Sequence, residues 1–440
     1  MRITTTPASS ESGALSATQP ATPSSSRLSH AESIEIRALL VACVLLRLGV
    51  VGGTDAVIFD LNDIAGGHPR GIAVGFVGAA QAVPEMLFAF LMARFADRFG
   101  RGRFLIGGPL LGAAGILLVI LAHEPWQFAM ARILEGVGAA AFVPTALGTI
   151  AAATAASKTA RAKASGAFEA ATLAGYAGGF VLGSFAWHSL HRGAFVLMAL
   201  FYVSASVVVL FFVPRARPLP VSPVNVVFRA IVGPGPIRRF IPAWLAVNCL
   251  VGAWYVNMTS LLKHAPDTRQ TLVHGFDERL IGAFKVSWVL LLIVGIVLWT
   301  PYLQRHGGPA TMRRAIPGAF AVCAALFAIN HVPLRFAPLI LPVAIAGVLI
   351  EAGFVPAAVN YLADCSESLV ADRSALMAFY TVTLAGGGAV GALLGGVAGG
   401  LLLFDGLIVL GVLLAIIALL SLNSVVRFEH RHGPLRPQPG

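Results

Sequence analysis

The stretch "AFEAATLAG" at residues 167–175 returns as "AFYTVTLAG" at residues 378–386, with six of nine letters identical. A second pair, "AFVPTAL" at 141–147 and "GFVPAAV" at 353–359, has almost the same separation, 212 residues against 211. Either match alone could be chance in a chain rich in alanine and glycine, but two collinear matches at nearly one offset indicate a duplication. The sequence therefore predicts two homologous halves.

The composition is that of a membrane protein. Of the 440 residues 57% are hydrophobic and 12% charged, and the mean hydropathy is +0.82, whereas the charged fraction of soluble domains is about 25%. The net charge of +11 invites a nucleic-acid interpretation, but the basic residues lie in short clusters between apolar runs and form no single patch. We therefore expect the partner surface to be a lipid bilayer and no nucleic acid to bind.

Apolar runs of the length that a helix needs to cross about 30 Å of hydrocarbon recur twelve times. They lie near residues 38–59, 72–93, 104–122, 126–148, 165–187, 194–213, 240–262, 280–302, 314–331, 335–362, 374–402 and 405–425. We predict an all-α polytopic membrane protein with twelve transmembrane helices in two pseudo-symmetric six-helix bundles. Because each half holds an even number of helices, the halves share one orientation and are related by an axis along the membrane normal.

The predicted organisation has five segments. They are a disordered cytoplasmic tail (1–37), an N-terminal bundle (38–213), a cytoplasmic linker rich in arginine and proline (214–239), a C-terminal bundle (240–425) and a cytoplasmic tail (426–440).

The distribution of lysine and arginine predicts the orientation, because positively charged loops are retained in the cytoplasm. With the N-terminus inside, the cytoplasmic segments hold 22 of the 31 basic residues and the external segments hold six. We therefore predict that both termini are cytoplasmic and that the protein resides in a bacterial-type inner (plasma) membrane.

The loop between the second and third predicted helices, "ARFADRFGRGR" at 93–103, carries an acid among four arginines. It resembles the loop signature of the major facilitator superfamily, G-x-x-x-D-R-x-G-R-R/K, at Asp97, Arg98, Gly100 and Arg101; alanine replaces the first glycine. An acid at a helix end can accept hydrogen bonds from the N-terminus of a neighbouring helix, whose partial positive charge favours a carboxylate. These four residues are predicted to form a conformational latch, and the alternative is a turn whose charges only set orientation.

Two further elements extend the resemblance. "RILEGVGAA" at 132–140 resembles the family's R-x-x-x-G-x-G element, and "GYAGGFVLGS" at 175–184 resembles its antiporter element G-x-x-x-G-P-x-x-G-G at Gly175, Gly179 and Gly183. Phenylalanine replaces the proline of that element and serine its last glycine. The resemblance implies the major facilitator fold and a likeness to twelve-helix drug and metabolite proton antiporters. The three glycines are predicted to serve either close helix packing or a hinge.

Charged residues inside the membrane are functional candidates because they are costly to bury there. Six are predicted to serve proton coupling or substrate binding, namely Arg47, Asp55, Glu85, Arg132, Glu135 and Glu351. Arg47 lies near mid-bilayer and must face a cavity or an acid. Asp55 lies about 12 Å further along the same helix, too far for a direct pair with Arg47.

The remaining candidates differ in their expected partners. Arg132 and Glu135, three residues apart on one helix, either neutralise each other or tune the proton affinity of the cavity. Glu351 has no opposite charge nearby in sequence, so its neutral form is favoured and it is predicted to carry a proton. Glu85 follows Pro84, and a proline inside a helix leaves neighbouring backbone groups without their helical hydrogen bonds. The alternative for Glu85 is therefore a structural role, in which it bonds to these groups. Lys285 is expected to snorkel toward the external surface.

These patterns predict a secondary active transporter that moves a small solute by alternating access. The first hypothesis is proton-coupled efflux of a drug or metabolite. The alternative is proton-coupled uptake of an organic anion or other small metabolite, for which Arg47 would be a natural partner. An enzyme is not expected, because the sequence has no catalytic carboxylate pair and no nucleophile–base spacing. An ATP-driven pump is not expected either, because the sequence lacks the phosphate-binding loop G-x-x-x-x-G-K-[ST]. We expect a monomer with no cofactor and no metal, since the four cysteines show no metal-ligand spacing.

Overall fold

The computed structural model describes residues 30–154, 158–213, 236–267, 269–367 and 373–432. In the first half the helices are α1 (His30–Ile64), α2 (Gly71–Phe99), α3 (Arg101–Leu118), α4 (Pro125–Ala153), α5 (Lys158–Leu190) and α6 (Gly193–Phe212). In the second half they are α7 (Pro236–Lys263), α8 (Glu278–His306), α9 (Gly308–Asn330), α10 (Ala337–Glu351), α11 (Phe354–Glu367), α12 (Arg373–Leu402) and α13 (Phe404–His432).

The helices α10 and α11 are two parts of one span. The apolar stretch Leu334–Leu362 is continuous, but its helix breaks at residues 352–353, where the indole of Trp299 lies against Gly353. Ten stretches of the described chain are long and apolar enough to cross a membrane. Together with α1 and α5, of 35 and 33 residues, they make twelve spans. The prediction of an all-α polytopic membrane protein with twelve helices is confirmed.

The two halves repeat one packing arrangement. In the first half α1 packs against α5 and α6, while α3 and α4 contact each other and pack against α6 and α2 respectively. In the second half α7 packs against α12 and α13, α9 against α10 and α13, and α8 against α10. Each pair of the first bundle thus has its counterpart in the second, as the duplicated sequence predicts.

The bundles meet through equivalent helices. The second span of each half contacts the fifth span of the other, α2 against α12 and α8 against α5, and α1 lies beside α7 between them. This reciprocal contact is what a twofold axis along the membrane normal requires. It places α1, α5, α7 and α8, with any charges on them, at the interface.

Several helices extend beyond their predicted bounds. α1 begins at His30, α7 at Pro236 and α13 ends at His432, so segments predicted as tail or linker are partly helical. The predictions enclosed only the apolar runs, whereas a helix can continue past the hydrocarbon with polar side chains in the headgroup region. Most of the N-terminal tail, for which disorder is predicted, lies outside the described residues, as do most of the linker and the C-terminal end.

The contact between α2 and α12 is a glycine seam made of Gly71, Gly75, Gly396 and Gly400. A Cβ atom on Gly71 would lie 2.3 Å from the carbonyl oxygen of Gly396, and one on Gly75 would lie 2.5 Å from that of Ala392. Dispersion and close packing hold helices together in a bilayer, so the missing side chains allow the bundles to touch through their backbones.

We expect Gly75→Val to force the bundles apart at this seam, because backbone atoms cannot yield to the added methyl groups. The separation of spin labels at Arg70 and Leu402, which flank the seam, should increase in pulsed electron resonance. The control is Gly107→Val, since no atom lies within 4 Å of a Cβ there. An unchanged distance in the Gly75 variant would contradict the assignment of the seam as a rigid contact.

Candidate functional site

The two ends of the molecule differ in how the bundles meet. The α1–α2 end is where α1 finishes and α2 starts, and the opposite end holds His30 and His432. The described hydrogen bonds between the bundles lie at mid-helix or toward the α1–α2 end. There Asn62 donates to the hydroxyl of Ser260 (3.2 Å) and the N–H of Ala265 donates to the carbonyl of Gly67 (2.9 Å). The structure is thus closed at the α1–α2 end.

A buried ion pair joins the two bundles just inside this closed end. Asp55 of α1 and Lys285 of α8 are 0% and 2% exposed, and Nζ lies 2.5 Å from Oδ1. The hydroxyl of Thr259 on α7 donates to the same oxygen at 3.0 Å, and Nζ donates to that hydroxyl at 2.8 Å. The ammonium group also stands 4.1 Å from the ring centroid of Phe180, which adds a cation–π contact. Four helices, α1, α5, α7 and α8, therefore converge on one neutral pair.

Within the described residues, neither Asp55 nor Lys285 has a second ion-pair partner. The second carboxylate oxygen of Asp55, Oδ2, is buried without a hydrogen bond in the described part of the structure. Removing one member of a buried pair leaves the other charge uncompensated, which costs about 3–5 kcal/mol. Sequence reasoning missed the pair, because it expected Lys285 to snorkel and tested Asp55 only against Arg47. The partners are 230 residues apart, so no local pattern could connect them.

A second buried network lies inside the first bundle around Arg132. Its guanidinium donates to Glu135 (Nη1 to Oε2, 2.9 Å), to Thr54 (2.6 Å) and to Gln81. The hydroxyl of Tyr202 donates to the same Glu135 oxygen at 2.9 Å. The network joins α1, α2, α4 and α6, and Arg132 and Glu135 are 1% and 0% exposed. Of the two predicted interpretations, the geometry matches mutual neutralisation of the i,i+3 pair.

Arg47 lies on α1 against α5. It is 7% exposed, and its Nε has no hydrogen-bond partner in the described chain. Its guanidinium carbon is 5.6 Å from the ring centroid of Tyr176. A Cβ on Gly175 would lie 2.4 Å from the Arg47 Cβ, so glycine there is what admits Arg47 between the helices.

Two acids on α2 and α5 interact electrostatically with Arg47. Glu85 of α2 and Glu169 of α5 both lie within electrostatic range of its charge, yet neither is within the 4 Å of an ion pair in the described structure. Glu85 is partly exposed and Glu169 exposed. The interior between the bundles thus presents separated charges of both signs.

The predicted latch residues lie at the opposite end. Asp97 accepts a hydrogen bond from Nε of Arg101 at 2.8 Å, and Nη1 of Arg101 donates to the carbonyl of Gly148 at 2.9 Å. Gly100 separates α2 from α3 with a φ of +100°, and Arg98 is exposed. Arg101 is the first residue of α3, so the partner of Asp97 is a side chain at the start of that helix, where sequence reasoning expected the backbone N–H groups of a neighbouring helix N-terminus. A latch role in transport stays a prediction.

The fifth-span glycines and Glu351 have different surroundings. A Cβ on Gly179 would lie 2.6 Å from Val51 Cβ, and one on Gly183 would lie 2.5 Å from the Cα of Gly52, so these glycines seat α5 on α1. Glu351 ends α10 at the broken span and is partly exposed. It makes no hydrogen bond or ion pair within the described residues.

At the closed α1–α2 end, His188 of the first bundle contacts two carboxylates of the second bundle. Glu278 at the start of α8 accepts from Lys263 of α7 and lies 3.1 Å from Nδ1 of His188 on α5. The neighbouring Asp277 carboxylate is 3.3 Å from the same nitrogen. Slight burial acts to raise the pKa of Asp277, but hydrogen bonds from the Arg279 side chain and backbone outweigh it and lower that pKa.

His188, Asp277 and Glu278 have metal-ligating atoms within 4.8 Å of one another, yet the Lys263 ammonium on Glu278 opposes a cation there.

We expect Glu278→Gln to loosen the α1–α2 end, because the amide loses the charge-assisted bonds to Lys263 and His188. The closed conformation should lose about 1 kcal/mol, a value reduced by partial exposure of the group. Hydrogen exchange at residues 259–265 should become faster. Arg279→Gln is the matched control, since it removes an exposed ion pair that joins no second helix. Equal exchange in both variants would assign no closing role to Glu278.

Two pseudo-symmetric six-helix bundles with a neutral ion pair buried between them define a multi-pass α-helical membrane protein. The chain belongs to the major facilitator superfamily, whose family model matches residues 66–349. It is accordingly a transporter and not an enzyme.

Similarity to curated relatives is confined to part of the chain. The multidrug resistance protein MdtH of Klebsiella pneumoniae (strain 342) is 33% identical over 122 residues, which are 27% of this chain and 29% of that protein. MdtH of Escherichia coli O1:K1 is 31% identical over the same length. The chain therefore aligns with less than a third of these relatives.

Solved structures agree with the fold along most of the chain. A POT family transporter crystallised with a thioalcohol-conjugated peptide has a TM-score of 0.68 at 14% identity, covering 91% of this chain and 96% of that one. The nucleoside transporter NupG has a TM-score of 0.66 at 12% identity, covering 92% and 100%. At such identities the likeness concerns the architecture alone.

Proposed function

We propose that the protein is a proton-coupled antiporter that exports a small organic solute, a drug or metabolite, by alternating access. The observation that carries this proposal is the ion pair of Asp55 and Lys285, buried between the bundles beside the end at which they close. Opening that end requires α1 to move away from α8, and this movement separates the two charges.

The cost of separating a buried pair imposes a rule on the carrier. With Asp55 ionised, the pair holds the α1–α2 end closed, because each charge would otherwise lie alone in a medium of low polarity. The conformational change then needs either a proton on Asp55 or a solute that pairs with one of the two charges in place of its present partner. A carrier that crosses with either ligand exchanges one for the other, which is antiport, whereas a symporter must cross with both or with neither.

The direction follows from the orientation expected for the chain. The excess of basic residues at the end holding His30 and His432 favours a cytoplasmic location for that end, so the closed α1–α2 end faces outward. A proton gradient directed inward would then drive the solute outward. The likeness of the glycines of α5 to the antiporter element and the local similarity to a multidrug resistance protein support export.

The proposal is tested with inside-out membrane vesicles that contain the protein and have an acidic lumen. Members of a panel of drugs and metabolites should accumulate in the lumen, and a protonophore should abolish the accumulation. Vesicles without the protein provide the background. Accumulation of the same solute only in right-side-out vesicles with an acidic exterior would replace export by uptake.

Uptake of an organic anion or other small metabolite is the second candidate function. It is favoured by Arg47 on α1, whose guanidinium keeps a buried donor without a partner among the described residues. A carboxylate is the group that best matches a guanidinium in charge and shape. In this case the proton and the anion would cross together, contrary to the rule drawn from Asp55.

A further inference from the structure

The interior between the bundles carries a set of groups that the antiport rule leaves without a role, the Arg47 cleft. It consists of Arg47, Glu85, Glu169, Tyr176 and Tyr255. Arg47 lies eight residues from Asp55 on α1, about 12 Å along the axis toward the opposite end. The cleft is therefore set apart from the ion pair at the closed end.

Arg47 is the cationic element of this cleft. More than nine-tenths of it is buried, and a planar guanidinium with five donors normally has its buried N–H groups bonded. Among the residues that the structure describes, its Nε has no hydrogen-bond partner, and the ring of Tyr176 contributes a cation–π contact. A buried donor left unpaired is costly unless a ligand completes it.

The acidic elements are held away from this cation. Glu85 and Glu169 lie within range of the Arg47 charge, and the described residues give neither carboxylate a hydrogen bond. Glu169 is exposed although it lies in the same interior as the buried arginine. The cleft thus brings together a buried guanidinium and two carboxylates that form no ion pair with it in the described structure.

Aromatic rings connect the charged elements. The centroids of Tyr176 on α5 and Tyr255 on α7 are 6.4 Å apart, and those of Phe180 and Tyr255 are 5.7 Å apart. The rings come from both bundles, so a ligand against them touches both. Such a surface favours a planar or apolar frame.

We propose that the Arg47 cleft binds a solute that carries a carboxylate and an amino group on a compact planar frame. The carboxylate accepts hydrogen bonds from Arg47, the ammonium group donates to Glu169 or Glu85, and the frame lies against Tyr176 and Tyr255. A solute with only an anionic group would face two carboxylates, and one with only a cationic group would leave Arg47 unpaired. This inference rests on the proposed function, since it assigns the solute that is carried.

The test is binding to the purified protein in detergent, measured by calorimetry without a proton gradient. Three probes share one frame, namely 4-(aminomethyl)benzoate with both charges, 4-methylbenzoate with the anion alone and 4-methylbenzylamine with the cation alone. Each lost charge-assisted contact should weaken binding about tenfold or more, so the doubly charged probe should bind best. Binding that is equal for all three probes, or measurable for none at millimolar concentration, would overturn the proposal.

Variants assign each contact. Arg47→Gln should lower affinity for the doubly charged probe to that of the amine and leave the amine unaffected, while Glu169→Gln should do the reverse with the carboxylate probe. Arg47→Lys keeps the charge in the same space and should give intermediate affinity, which separates binding from folding. Arg335→Gln, at an exposed arginine outside the cleft, should change nothing. Loss of affinity for all three probes alike in Arg47→Gln would contradict the assignment.

The two proposals fail in different ways. Gradient-driven export of a solute without selectivity for the doubly charged probe would remove the Arg47 cleft as a zwitterion site and leave antiport in place. Selective binding without gradient-driven export would remove antiport and keep the site.

Discussion

Asp55→Asn is expected to abolish proton-driven accumulation while solute binding persists. The amide cannot take up the proton that an ionised Asp55 would bind, and it leaves Lys285 buried without a counter-charge. The second effect should also destabilise the closed conformation by about 3–5 kcal/mol. Both are measured on one preparation, by solute uptake into acidified inside-out vesicles and by the apparent Tm of the purified protein.

The double variant Asp55→Asn, Lys285→Gln separates these two effects. Two amides can bond to each other and to Thr259 without any net charge, so the Tm should return toward that of the natural protein while proton coupling stays lost. Asp267→Asn, in the connection before α8, is the control for a carboxylate outside the membrane. If the double variant regained gradient-driven accumulation, Asp55 would have no part in the proton path.

Arg132→Gln is expected to produce the largest loss of stability of any single change inside the first bundle. The substitution leaves Glu135 buried without its positive partner and removes the charged donors to Thr54 and Gln81. The expected cost is about 3–5 kcal/mol, which for a bundle of this size lowers the apparent Tm by roughly 10 °C. Fluorescence-detected size-exclusion chromatography after heating measures it.

Two further variants measure how much separate contacts of the Arg132 network contribute to stability. Tyr202→Phe removes only the hydroxyl bonded to Glu135 and should cost about 1 kcal/mol. Arg132→Gln with Glu135→Gln removes both charges and should recover part of the loss, because no charge then stays unpaired. Arg335→Gln should match the natural protein. An unchanged Tm in Arg132→Gln would mean that solvent or lipid compensates Glu135.

The candidate site was predictable in part. Because charges are costly in hydrocarbon, the sequence alone identified Arg47, Asp55, Arg132 and Glu135 as candidates. The i,i+3 spacing of Arg132 and Glu135 also predicted their contact. The same reasoning misjudged Lys285, because a lysine near a predicted helix end can snorkel when that face meets lipid. Here the face meets the other bundle, and the carboxylate on α1 supplies the counter-charge.

The sequence by itself determined the twelve spans, the duplication and the family, because spanning length, hydropathy and short loop motifs are local properties of the chain. The tertiary structure decided which charges neutralise one another and which stay apart. Asp55 pairs with Lys285 from the other half of the chain. In the described part of the structure, Arg47 keeps a donor without a partner, and Glu85 and Glu169 form no ion pair with it. Pairing in a medium of low polarity depends on distances of a few ångströms between helices, and only their packing sets those distances.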